Sequence, residues 1–111
     1  MTHFQARIRG RGSARIAAFG ATDAENTLHK ELDRAYPGAR LEIRQMRYPE
    51  GPARVVEEFD IEFKLEVEVG VEAEDEASAR RAAFSAARRA LQGTRFARVA
   101  FDKEVRLVSA T

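Results

Sequence analysis

The residues best suited to chemistry are few in this chain, and each has a simple alternative. His29 lies four residues after Glu25 and four before Asp33. On a helix these three share one face, where they could form a weak metal site or a proton-shuttling cluster. Rigid metal sites draw ligands from more than one element, so solvated i,i+4 pairs are the expected reading. His3 stands close to the N-terminus, where fraying is expected. Gly10-Arg11-Gly12-Ser13 has the look of a phosphate-cradling loop. It lacks the further glycine of a dinucleotide fingerprint and the Gly-Lys-Ser/Thr ending of a P-loop, so a bend in a strand is expected there. Asp60, Glu62, Glu66 and Glu68 form a ladder of carboxylates. Alternate residues on a strand project about 7 Å apart, too far for a compact shell around one ion.

The remaining candidate is a basic surface. Arg81, Arg88 and Arg89 fall on the outer side of one helical stretch, and Arg95 and Arg98 follow it. Together they form a candidate polyanion-binding site for nucleic acid, phosphates or an acidic protein. Arg80 sits nearer the buried stripe, where it is expected to snorkel or pair with Glu76. The chain has no cysteine, which excludes disulfides, thiolate metal sites and cysteine nucleophiles. No nucleophile–base pair and no cofactor loop stands out, so neither catalysis nor a cofactor is expected. The expected function is a non-enzymatic interaction or assembly module that forms a homo-oligomer or binds a protein partner. Nucleic-acid binding through the second helix is the alternative.

Charge is strongly segregated behind a net charge of +1. Residues 1–48 hold nine Lys/Arg against five Asp/Glu, residues 49–76 two against eleven, and residues 77–111 eight against two. Such asymmetry reads either as polyanion binding or as pairing inside one sheet. An apolar fraction of 44% with 33% charged residues reads as globular. No apolar run approaches the roughly 18 residues of a membrane span. The first fifteen residues carry arginines without an apolar core segment, unlike a secretory signal. A cytoplasmic location is the default expectation.

The elements that must position these residues follow from periodicity. Between 55 and 73, Phe59, Ile61, Phe63, Leu65, Val67, Val69 and Val71 alternate with polar residues, the signature of a strand with one buried face. Residues 4–20 alternate too, with Phe4, Ala6, Ile8, Ala14 and Ile16 on one parity and Arg7, Arg9, Arg11 and Arg15 on the other. One long strand bent at Gly10–Ser13 is preferred, and a hairpin turning at Arg11-Gly12 is the rival. Thr22 and Glu25 match a capping box, predicting a helix over 23–36 that ends at Tyr36-Pro37-Gly38. A strand over about 39–48 and a loop at Pro49–Pro52 come next. Asp75 is the expected N-cap of a second helix over 76–91, with Phe84, Ala87 and Leu91 on its inner stripe and Ala83 beside it. A last strand is expected over 95–108, with a bulge or turn near Asp102-Lys103.

The chain thus runs strand, helix, strand twice, as a pseudo-repeat of 4–48 and 55–108 within a single α+β domain of residues 1–111. This βαββαβ order predicts a ferredoxin-like sandwich: an antiparallel sheet of order 4-1-3-2 with both helices on one face. Asp60, Glu62, Glu66 and Glu68 would then face Arg7, Arg9 and Arg11 on one side and Arg40 and Arg44 on the other. Acidic exposed positions on the third strand, with Phe59 and Phe63 on the buried parity, argue against RNA stacking on the sheet. Ile8-Arg9-Gly10-Arg11 resembles the start of the acylphosphatase phosphate loop. Gly12-Ser13-Ala14 stands where that family continues Val-Gln-Gly, so the resemblance ends there.

Overall fold

Alternation from Phe59 to Val71 does produce a strand, and the length of that strand sets the shape of the molecule. A computed structural model describes residues 1–52, 54–96 and 98–111. β1 spans Thr2–Ala18 and β3 spans Glu57–Ala73, each 17 residues long. They pair antiparallel along their whole length, from Thr2 opposite Ala73 to Ala18 opposite Glu57. The hairpin alternative for residues 4–20 is not adopted. Gly10 and Gly12 provide clearance rather than a turn. A Cβ on Gly12 would lie 2.8 Å from Val99 Cγ2, and one on Gly10 would lie 3.0 Å from Phe101 Cδ1.

α1 covers Ala21–Ala35. Its N-cap is Gly20, so the expected Thr22–Glu25 capping box does not form. The helix starts earlier because Asp23 reaches back and accepts the Phe19 N–H at 3.0 Å, holding the chain as it leaves β1. At the other end Tyr36 donates its N–H to the Leu32 carbonyl. Gly38 takes a left-handed φ of 79°, and its N–H reaches Asp33 Oδ1 at 3.0 Å. β2 follows at Arg40–Arg47.

α2 covers Glu76–Ala90, capped by Asp75, whose carboxylate accepts the Ser78 N–H at 2.7 Å. That bond, with the neighbouring Ser78 hydroxyl, holds the Asp75 carboxyl below its ordinary range. Ala79, Ala83 and Ala87 form the fully buried stripe. Phe84, expected on that stripe, instead lies half-buried on its flank, because three alanines one turn apart let the helix approach the sheet too closely for a ring between them. β4 is Ala100–Ala110 rather than 95–108. Residues 94–96 turn instead of extending, with the Thr94 hydroxyl donating to the Leu91 carbonyl and accepting from the Phe96 N–H. Ala97 lies outside the described residues. The expected bulge is present: Ile8 faces Val105 and Gly10 faces Phe101, which leaves Asp102, Lys103 and Glu104 opposite Arg9 alone.

The sheet order is β2-β3-β1-β4, the ferredoxin-like arrangement, fully antiparallel. Both helices pack on the face carrying Ala6, Ile8, Ile16, Ile61 and Phe63. The strands exceed the helices in length, and this stretches the fold. β2 pairs only with Asp60–Glu66 of β3, and β4 only with Phe4–Arg11 of β1. The four strands therefore overlap only in the middle. The extents are 58 × 22 × 20 Å with a radius of gyration of 16.2 Å, against roughly 13 Å for a compact chain of this length. Near the middle the Tyr36 hydroxyl donates to the Ala87 carbonyl, linking the ends of the two helices. Burial pushes the Tyr36 phenol up to about 12.

Candidate functional site

The face of the sheet away from the helices carries a ladder of opposite charges. Glu66 lies between two arginines, 3.4 Å from Arg7 Nε and 3.2 Å from Arg9 Nε. Arg7 also reaches Glu68 at 3.4 Å. Arg15 pairs with Asp60 at 3.0 Å and with Glu58 at 3.8 Å. The Asp60 hydrogen bond, then the charges of Asp60 and Glu58, raise the Arg15 pKa above its ordinary value. The expected neutralisation therefore holds for Arg7 and Arg9, and Arg15 joins it. It fails for Arg11, whose opposite residue is Lys64, and Arg44 pairs along its own strand with Glu42. Only the β1–β3 register settles which charges meet, and a tally of segment charges does not contain it.

The five candidate polyanion-binding arginines are not one surface. Arg81 hydrogen-bonds Ser78 Oγ at 3.2 Å, and Arg88 sits 5.9 Å from the Phe84 ring centre. Arg89 is exposed beside them. Arg95 and Arg98 lie before β4, not within it. Arg95 is engaged at both ends of its guanidinium, with Glu31 at 2.9 Å and with the Arg15 carbonyl at 3.1 Å. Arg98 lines a depression on the open face with Arg11, Arg44 and Lys64. Arg80 behaves as expected, pairing with Glu76 at 3.6 Å and bonding the Val105 carbonyl.

His29 is exposed, and the Asp33 carboxylate caps the turn at Gly38. Among the described residues no three His, Asp or Glu side chains converge as a metal site would require. His3 is held in the ladder instead of fraying, exchanging both backbone hydrogen bonds with Thr111 at 2.8 Å. Its ring nitrogen meets Gln5 Nε2 at 3.0 Å, and both side chains lean over Gly70.

The feature that the sequence reading missed is an uncovered strand edge. Between α2 and β4, Arg95 and Val99 of the nine-residue connector lie against β1. There Arg95 takes the Arg15 carbonyl and Val99 packs against Gly12. Only residues 36–39 separate α1 from β2. β2 begins opposite Glu66, so residues 67–73 of β3 have a strand on one side only. The alternation of an antiparallel ladder identifies the free groups. His3 bonds towards β4, so Thr2 and Phe4 bond towards β3, as do their partners Ala73 and Val71 towards β1. Glu68, Gly70 and Glu72 consequently turn their backbone N–H and C=O outwards. Among the described residues nothing pairs with them. The signal was available in the unequal connector lengths, but only once the extent of each strand is known. The far end of the ladder is apolar, with Phe19 and Val56 exposed just beyond the Ala18–Glu57 pair and Tyr48 exposed beside Phe59.

No family model matches this chain, and neither a curated protein nor a solved structure matches it. No helix is long and apolar enough to cross a membrane.

Proposed function

We propose that this chain is a small non-enzymatic assembly module that associates with a second copy of itself through residues 67–73 of β3. The observation that carries this reading is the free edge, with the outward backbone groups of Glu68, Gly70 and Glu72. An exposed edge of this kind is a template for another strand. It is self-complementary, because two such edges related by a two-fold axis exchange N–H and C=O groups antiparallel. A register with Gly70 of each copy opposite Glu72 of the other sets no glutamate directly against another within residues 67–73, where it would destabilise the pair, and leaves Glu68 facing Glu74 just past the strand. The residual repulsion between acidic edges is screened by salt, so association strengthens as ionic strength rises. The lack of cysteine suits a reducing compartment such as the cytoplasm.

Sedimentation velocity over a range of protein and salt concentrations tests the reading. The wild type is expected to dimerise, more so at high salt. Glu72→Pro, which removes one outward N–H at an exposed edge position, is expected to be monomeric with an unchanged circular dichroism spectrum. A wild type that stays monomeric, or a Glu72→Pro variant that dimerises equally well, overturns it.

A second reading, nucleic-acid binding, is favoured by one observation: Arg81, Arg88 and Arg89 make no ion pair among the described residues. Fluorescence anisotropy with mixed DNA and RNA at low salt tests it. Binding that weakens steeply with salt and is lost in Arg88→Glu/Arg89→Glu supports this alternative.

A further inference from the structure

The open face contains one rung where the charge pattern is reversed. Arg11 stands directly opposite Lys64 across the β1–β3 ladder. Like charges in that relation repel, whereas the rungs around them join Arg7 to Glu68, Arg9 to Glu66 and Arg15 to Asp60. Both Arg11 and Lys64 are exposed, and neither has an ion pair among the described residues. Arg98 and Arg44 line the same depression of about 470 Å³, where Glu62 is the one acid and Ser13 supplies a hydroxyl. Four cations thus line one depression from β1, β2, β3 and the connector before β4, with Glu42 of β2 opposite Lys64 and paired to Arg44 beside it. They do so at the waist of the molecule, where β2 and β4 both begin.

We propose that Arg11, Lys64, Arg98 and Arg44 bind a compact oligophosphate on the open face of the sheet. Guanidinium groups match phosphate oxygens with paired N–H donors, and the lysine adds a mobile point charge. A phosphate chain placed between Arg11 and Lys64 replaces their repulsion with two attractions. The carboxylates along β3 limit its length. Asp60 and Glu62 lie to one side of Lys64, and Glu66 and Glu68 to the other. A long polyanion laid along the strand would meet all four, and a compact one would meet Glu62 alone. The site lies on the face away from the helices, separate from Arg81, Arg88 and Arg89. It is also independent of self-association, since the free edge at 67–73 is elsewhere on β3.

Calorimetric titration of the full chain with inorganic triphosphate and with ATP at low ionic strength tests the proposal, with melting temperatures taken on the same samples. The wild type is expected to bind both with similar affinity and to melt higher when loaded. Lys64→Glu is expected to weaken binding by about tenfold or more. Arg11→Glu is expected to weaken binding likewise and to melt higher than the wild type without ligand, because its carboxylate faces Lys64 on one side and Ala100 on the other; this separates a lost site from a lost fold. Arg88→Glu/Arg89→Glu is expected to bind as the wild type does. Three results would overturn the proposal: no binding of either anion, binding of ATP alone, or wild-type affinity in Lys64→Glu.

Discussion

Arg95 Nε lies 2.9 Å from Glu31 Oε2, and the same guanidinium donates to the Arg15 carbonyl at 3.1 Å. One side chain thereby ties the connector before β4 to α1 and to the edge of β1. Arg95→Ala removes both contacts and leaves that edge open. The expected cost is about 1 kcal/mol, the scale of a partly exposed ion pair plus a charge-assisted hydrogen bond. Urea denaturation should show a lower midpoint with an unchanged slope.

Glu66 holds Arg7 and Arg9 together at the centre of the open face. Arg9→Glu places two carboxylates across the strand pair and is expected to cost about 0.5–1 kcal/mol. Glu66→Arg alone is also expected to destabilise, by setting three arginines side by side. The double variant Arg9→Glu/Glu66→Arg should recover part of the loss. A double-mutant cycle measured by thermal melting at low and high salt checks this, and the coupling should shrink as salt rises.

Tyr36 predicts a response to alkali. Its phenol is pushed up to about 12 in the fold, against about 10 in an unfolded chain. The folded chain therefore keeps a proton that the unfolded chain releases. Stability from this group is complete below pH 10 and is lost as pH rises towards 12. Tyr36→Phe is expected to cost about 1 kcal/mol at neutral pH through loss of the bond to the Ala87 carbonyl. It should also abolish the part of the alkaline slope that belongs to this residue. Chemical denaturation of both proteins between pH 8 and 12 reads the two effects separately.

Ala83 has no exposed surface, and its neighbours on the α2 stripe, Ala79 and Ala87, are equally buried. The close approach of helix to sheet depends on these small side chains. Ala83→Leu forces the helix outwards and is expected to destabilise by about 1–3 kcal/mol. Ala82→Leu, at a half-buried position next to it, should cost less. Melting temperatures of the two variants check the order.

Much of the fold was legible in the chain. The alternation from Phe59 to Val71 predicted β3 and its buried face, and Asp75 predicted the start of α2, because both signals are local. The errors arose where distant groups decide a boundary. Thr22 is a sound cap by composition, yet the Asp23 bond to the Phe19 N–H starts α1 two residues earlier. Phe84 is more apolar than Ala79, yet the proximity of the sheet selects the alanine. Arg95 and Arg98 were expected in β4, and Arg95 instead serves the end of β1. The uncovered edge was not anticipated, because it depends on how far β2 reaches along β3.

Side-chain alternation and helix spacing settle which residues face the core and which face water, since those periods are properties of the backbone itself. They also place carboxylates and guanidinium groups on one open face. Only the tertiary structure decides that Arg7 meets Glu68 while Arg11 meets Lys64, and that Glu68, Gly70 and Glu72 remain without a neighbouring strand. Those pairings join residues 53 and 61 positions apart. They are set by strand register and connector length, which are determined when the whole core packs.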